Sequence, residues 1–366
     1  MSFHRIIRPS CKPFNEHFAS LLFILLILIL SAACTSRDKG SGEAAGPDIK
    51  VAEASGPVTK VRFLPYWVNT AQFSGYFVGK EKGIYLKYGI DLDVITFQPS
   101  MIPAAILESG EADFAALWLV NAIEMKASGT DIVSLAQPSQ QSSLMLLARK
   151  NSGIRKLQDL NGKKAGIWTG YEMQPRALFK KYDLQVEIIP IGSTNNLFLS
   201  GAVDVTNANW FDEYHTILNS GFNEDELVTF FFKDYGLNFL EDGIYCLSKT
   251  LKEHPDLCVN FVKATLEGWD YAFSHPEETL DIVVRYAKEA KTPVNRVHQR
   301  WMLDRYYDLY KAPHGSSYET SLKKDVYENI AGILFDSKLI THIPAFGDFY
   351  KPYQEIERTL NGKPNE

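Results

Sequence analysis

Short apolar runs alternate along the chain with apolar positions spaced three and four apart. "KVRFL" (Lys60–Leu64) reads as a strand, and "AQFSGYFVGKEKGIY" (Ala71–Tyr85) has helical spacing with a stop signal at Gly83. "DLDVITF" (Asp91–Phe97) alternates as a strand does. A helix in "PAAILESG" stops at Gly110, "ADFAALW" is the next strand, "NAIEMKASG" a helix and "DIVSLA" a strand. After "SLMLLAR" (Ser143–Arg149) the pattern begins again. "GKKAGIW", "VEIIPI" and "AVDVTNANW" read as strands, with helices in "QPRALFKKY" and "TNNLFLSG" between them. A helix over 211–219, strands in "LVTFFF" and "GIYCLS", and four helices (254–271, 276–288, 295–310 and 321–335) complete the series. The β-α-β-α order predicts two α/β lobes with mostly parallel sheets and a helical C-terminal extension.

An internal echo supports two similar lobes. "LESGEADFAALW" (107–118) and "FLSGAVDVTNANW" (198–210) share Ser-Gly-x-x-Asp, a strand and a Trp, with Asp113 and Asp204 in matching places. Crossings expected near Arg149 and Tyr245 assign 58–148 and 247–366 to one lobe and 149–246 to the other. Ligands of such sheets bind beyond the carboxyl ends of strands, and clefts between lobes are favoured sites. The residues after each strand are therefore the candidates: Trp67 and Asn69; Trp118; Trp168 and Tyr171; Asn209, Trp210, Glu213 and Tyr214. Of six tryptophans, four fall at these strand ends. Aromatic rings there make walls for a flat ligand ring, and a carboxylate between them accepts N–H groups from an amino-substituted heterocycle.

The N-terminal segment changes the setting. Arg5, Arg8 and Lys12 precede ten apolar residues, Leu21–Leu30, and then "SAAC" ending at Cys34. Ten residues span only about half a bilayer core as a helix, so a secretory signal is expected over 1–34 rather than a transmembrane helix. Residues 35–57, rich in Gly, Ala, Ser and charge, read as a flexible tether. "SAAC" resembles the lipobox of bacterial lipoproteins, with Ser31 where leucine is usual. That resemblance implies lipidation of Cys34 and membrane anchoring at the bacterial cell envelope, facing the periplasm or the exterior.

The net charge of −6 and the lack of basic runs exclude nucleic acid as a partner. There is no GxSxG, P-loop or Cys/His cluster, so no catalytic set, cofactor or metal is expected. Cys246 and Cys258 are compatible with buried thiols or with a disulfide. His215, beside the candidate site, reads as a packed or solvated helix position.

"WVNTAQFSGYFVGKEKGIYLKYGIDLDV" (67–94), "GIRKLQDLNGKKAGI" and "NANWFDEY" together resemble periplasmic binding proteins of the thiamine-pyrimidine group. The likeness covers about residues 60–290. It implies a class II periplasmic binding protein fold, capture of a thiamine pyrimidine precursor, and an ABC permease in the inner membrane as partner. Carried over, Trp67 and Trp210 would stack on the ligand and Glu213 would read its aminopyrimidine edge.

The same superfamily contains thiamine pyrimidine synthase, which holds pyridoxal phosphate on a lysine followed by a histidine four residues later. Leu117 and Asn121 occupy those positions, which weighs against the enzyme. Riboflavin suits the aromatic strand ends equally well. A sulfonate or nitrate would instead need a helix N-terminus, at Thr169-Gly170 or Ser193-Thr194.

Overall fold

The computed structural model describes residues 57–98, 100–192, 194–310 and 319–362. The expected signal, Cys34, nearly all of the tether, Ser193 and His314 lie outside them. Among the described residues, ten strands form two five-stranded sheets, matching the α/β expectation. The first sheet has the order β2-β1-β3-β10-β4, from Ile90–Val94, Thr59–Pro65, Phe114–Leu117, Gly243–Leu247 and Ile132–Ala136. The second has the order β7-β6-β8-β5-β9, from Glu187–Ile191, Lys164–Trp168, Val205–Asn209, Leu144–Arg149 and Leu227–Phe231.

The sheets are mixed. In the first, β1 runs parallel to β2 and β3, while β10 is antiparallel to β3 and β4. In the second, β6 is parallel to β7 and β8, and β5 is antiparallel to β8 and β9. The antiparallel strands β5 and β10 are those that arrive from the other lobe. Both crossings therefore precede these strands, within residues 137–143 and 232–242. The boundaries expected at 148/149 and 246/247 are corrected by one strand each.

The sequence echo has a structural counterpart. Gly110 and Gly201 adopt φ of 72° and 82°, a left-handed conformation that glycine takes without a Cβ penalty. Asp113 Oδ2 then accepts the Arg62 N–H in the middle of β1 (2.7 Å), and Asp204 Oδ2 accepts the Lys164 N–H that opens β6 (2.9 Å). Each aspartate thus ties its own strand, β3 or β8, to the parallel neighbour.

Among the described residues, nine longer helices cover the sheets: α1 (Ser74–Glu81), α2 (Leu119–Ala127), α3 (Met173–Lys181), α4 (Glu213–Asn219), α5 (Pro255–Ser274), α6 (Pro276–Glu289), α7 (Arg296–Tyr310), α8 (Lys324–Asp336) and α9 (Tyr353–Leu360). The helix expected over 71–85 is divided: a 3-10 turn at Ala71–Phe73, then α1, then Ile84–Lys87 beyond Gly83. No described helix is long and apolar enough to cross a membrane.

The first lobe's core is aromatic. Phe63 stacks on Tyr76 (3.9 Å between centroids) and Phe114 on Phe261 (4.0 Å). α1 and α5 approach so closely that a Cβ on Gly75 would sit 2.4 Å from the Trp269 ring, and one on Gly268 would sit 2.2 Å from the Gly75 carbonyl. Backbone cannot yield as a flexible side chain does, so Gly268→Ala should destabilise by roughly 1–3 kcal/mol through overpacking. Urea unfolding of wild type and variant reads this directly. A variant of unchanged midpoint and slope would refute the close helix contact.

Candidate functional site

Between the two sheets lies a cleft lined by Tyr66, Trp67, Gln72, Trp118, Trp168, Tyr171, Asn209, Phe211, Asp212 and Glu213. Tyr66 and Trp67 follow β1 and Trp118 follows β3, on the first sheet. Trp168 ends β6, Tyr171 follows it, and Asn209 ends β8, on the second. The walls meet: Trp118 and Tyr171 contact edge to face across the lobes (5.5 Å), and Tyr171 in turn meets Trp168 (5.9 Å, 87°).

Six of the nine expected positions line this cleft: Trp67, Trp118, Trp168, Tyr171, Asn209 and Glu213. Trp210 does not. The echo carries one more residue before its Trp than the first copy does, so Asn209, not Trp210, stands where Trp118 stands relative to Asp113. A one-residue slip turns a strand side chain to the opposite face. The Trp210 ring meets Phe231 edge-on (5.9 Å) beneath the Arg305 guanidinium (4.7 Å). Tyr214 is packed in the second lobe beside Trp301 (6.0 Å). Asn69 is buried, and its Nδ2 donates to the Tyr286 carbonyl (3.3 Å). Gln72 and Phe211 are lining residues that sequence reasoning missed; Tyr66 and Asp212 line the cleft from the strand ends. Strand alternation from Asn209 would have indicated Phe211.

The Glu213 carboxyl is held by its own loop. Its Oε2 accepts the Asn209 N–H at 2.9 Å. Burial, reinforced by the neighbouring Asp212 charge, pushes its pKa up to about 8. A carboxyl raised in this way holds a proton more readily than a free one, and once protonated it can both donate and accept a hydrogen bond. Asp212 faces the other lobe: its Oδ1 lies 2.9 Å from His298 Nε2 on α7, and His298 Nδ1 lies 2.9 Å from His215 Nδ1. His215 stacks on Trp301 (4.8 Å, 8°), and burial beside His298 lowers its pKa.

Two more acids sit behind the cleft at the return crossing. Glu241 Oε1 accepts the Ser143 N–H (2.9 Å) and faces the Ser142 and Ser143 hydroxyls (3.0 and 3.1 Å). Asp242 accepts from Gln72 and Tyr306. Burial pushes Glu241 up to about 8 and Asp242 to about 6. Cys246 and Cys258 are buried free thiols with sulfurs 3.9 Å apart. The Thr169-Gly170 corner is already occupied, since the Gly170 N–H donates to Glu172 Oε2 (3.0 Å).

A family model described as NMT1/THI5 like matches residues 70–279. The chain is 23% identical over 247 residues to the 4-amino-5-hydroxymethyl-2-methylpyrimidine phosphate synthase of Legionella pneumophila, covering 64% of this chain and 76% of that protein. It is 21% identical over 276 residues to the riboflavin-binding protein RibY of Chloroflexus aurantiacus (73% and 78% covered). It is 19% identical over 310 residues to the formylaminopyrimidine-binding protein of Halalkalibacterium halodurans (81% and 87%). Among solved structures, the periplasmic aliphatic sulphonate binding protein SsuA of Escherichia coli superposes with a TM-score of 0.61 at 16% identity, over 80% of this chain and 92% of that one. The fold is thus that of the periplasmic binding proteins.

Glu241 supplies a pH test. Its carboxyl titrates near 4.5 when unfolded and near 8 when folded. The folded state binds the proton more tightly, so this contribution to stability is full below about pH 4.5 and is lost as pH rises towards 8. Glu241→Gln keeps an acceptor for Ser143 and removes the titration. Its melting temperature should fall less between pH 5 and 8 than that of the wild type; identical slopes would contradict a protonated Glu241.

Proposed function

The chain belongs to the NMT1/THI5-like family, and on that premise we propose that it is the solute-binding lipoprotein of an ABC importer, closing on a thiamine pyrimidine precursor. The observation that carries this reading is the composition of the cleft: aromatic walls from both lobes with the Glu213 carboxyl among them. A 4-aminopyrimidine presents an exocyclic N–H beside a ring nitrogen. A protonated carboxyl matches that edge as donor and acceptor, and proton transfer to a more basic ring leaves a charge-assisted pair. The formylaminopyrimidine-binding relative agrees with this ligand class.

The riboflavin-binding relative favours a second reading. The direct contact of Trp118 with Tyr171 weighs against it, because a three-ring ligand must displace that pair further than a one-ring ligand. A synthase that holds pyridoxal phosphate as an imine needs an amine. The cleft-lining residues include none, Leu117 is fully buried in β3, and Asn121 is not part of the lining. The cofactor therefore does not fit this site. Occupation of the Thr169-Gly170 corner by Glu172 weighs against a small anion there.

In this reading ligand contacts with both lobes close the cleft by a hinge motion, an inner-membrane permease receives the closed form, and Cys34 carries the lipid that keeps the protein at the envelope. A thermal-shift panel of formylaminopyrimidine, hydroxymethylpyrimidine, thiamine, riboflavin and taurine tests the ligand. A true ligand at 100 times its Kd stabilises by about 2.7 kcal/mol. Glu213→Gln should weaken aminopyrimidine binding by roughly tenfold or more and riboflavin binding less. Stabilisation by taurine alone would exclude the pyrimidine. Mass spectrometry of the Cys34 peptide should show acylation, and Cys34→Ala should move the protein from membrane to soluble fractions.

A further inference from the structure

Gln72 is held by a carboxylate behind the cleft. It lies in the turn Ala71–Phe73, is 5% exposed and lines the cleft. Its Nε2 stands 3.2 and 3.0 Å from the two Asp242 oxygens. An ionised carboxylate only accepts hydrogen bonds. The amide NH2 must therefore face Asp242, and Oε1 must face the other way; no described donor reaches that oxygen.

Asp242 is itself fixed. Its Oδ2 also accepts the Tyr306 hydroxyl (2.5 Å), and its backbone takes φ of 49°. A non-glycine residue keeps such a conformation only where its surroundings impose it. Tyr306 lies on α7, and two turns earlier Gln299 Oε1 accepts the Ala71 N–H at 2.6 Å. One helix thus sets both the backbone beside Gln72 and, through Asp242, its side chain.

We propose that Asp242 and Tyr306 are positioning residues: they hold the Gln72 amide oxygen towards the cleft, so that the site selects a heterocycle presenting an N–H there and rejects its oxo counterpart. The selectivity rests on the pyrimidine reading of the cleft; the amide lock does not. A ligand carbonyl set against the Gln72 oxygen would leave two acceptors unpaired, a loss on the order of 10- to 100-fold in affinity.

Protonation releases the lock. Asp242 titrates near 6, raised by burial against the bonds from Tyr306 and Gln72. Above that pH the carboxylate holds the amide; below it, the acid can donate to Oε1 and the amide can turn over. The groups facing Asp242 are Tyr306 from α7, Tyr76 from α1, Tyr245 from β10 and the adjoining Glu241. Burial raises all three tyrosines far above this range. Glu241, near 8, already carries its proton there.

The test compares 4-amino-2-methylpyrimidine with its 4-oxo analogue by calorimetry, in wild type, Asp242→Asn and Tyr306→Phe. The wild type should favour the amino compound by roughly 10- to 100-fold at about pH 7.5, and the ratio should shrink towards one at about pH 5. Asp242→Asn should show the small ratio at both pH values, with Tyr306→Phe between. An unchanged ratio in both variants overturns the proposal.

A ligand-free measurement stands beside it. The Gln72 side-chain amide NMR signals, assigned by their loss in Gln72→Glu, should shift with a midpoint near pH 6 in wild type and not in Asp242→Asn. Should Asp242→Asn fail to fold, Tyr306→Phe and the wild-type titration still decide. If the wild type binds neither pyrimidine, the ligand reading fails. The amide signals then decide the positioning alone: a static Gln72 refutes it.

Discussion

Two consecutive carboxylates, Glu241 and Asp242, are buried where the chain returns to the first sheet, and the arrangement of the cleft depends on satisfying them. Burying such groups costs several kcal/mol each unless hydrogen bonds compensate. Glu241 finds its partners in Ser142 and Ser143, on the outward crossing. Asp242 finds them in Gln72 and Tyr306. The two crossings, a cleft residue and α7 are thereby joined. The segment about which the lobes would turn thus carries hydrogen bonds of its own.

α7 serves both lobes through different faces. Met302, Leu303 and Tyr306 are buried in the first lobe's core. His298 reaches Asp212, the Trp301 Nε1–H donates to the Trp210 carbonyl (2.9 Å), and Arg305 covers the Trp210 ring. The tryptophan in the ligand segment that resembles a stacking residue is thus used to hold that segment in place. The carboxyl three residues later faces the ligand space instead.

Most of the fold was legible because strands and helices leave their periodicities in the chain, and the Gly-x-x-Asp echo gave two matching sheet positions. Lobe membership was harder to read. β5 is apolar and buried up to Arg149 and β10 is buried up to Leu247, and nothing local says which sheet such a strand joins. The cleft was legible from strand ends, but only to within one residue: Trp210 was misplaced because its copy of the echo is one position longer. Gln72 shows no role in its local sequence, since its partner Asp242 lies 170 positions away. Asn69 and Tyr214 were drawn to the site by proximity in sequence, and tertiary packing placed them elsewhere.

Phe211 carries a consequence for how the molecule is assembled. It lies two residues beyond the end of the second lobe's β8, yet it is 3% exposed, packed in the first lobe's core with Tyr306 at 4.9 Å. Neither lobe can complete its interior alone: one would lack a ring and the other would display it to water. Unfolding is therefore expected as a single cooperative event rather than lobe by lobe, and a gene fragment encoding one lobe would yield a chain with an open, adhesive face.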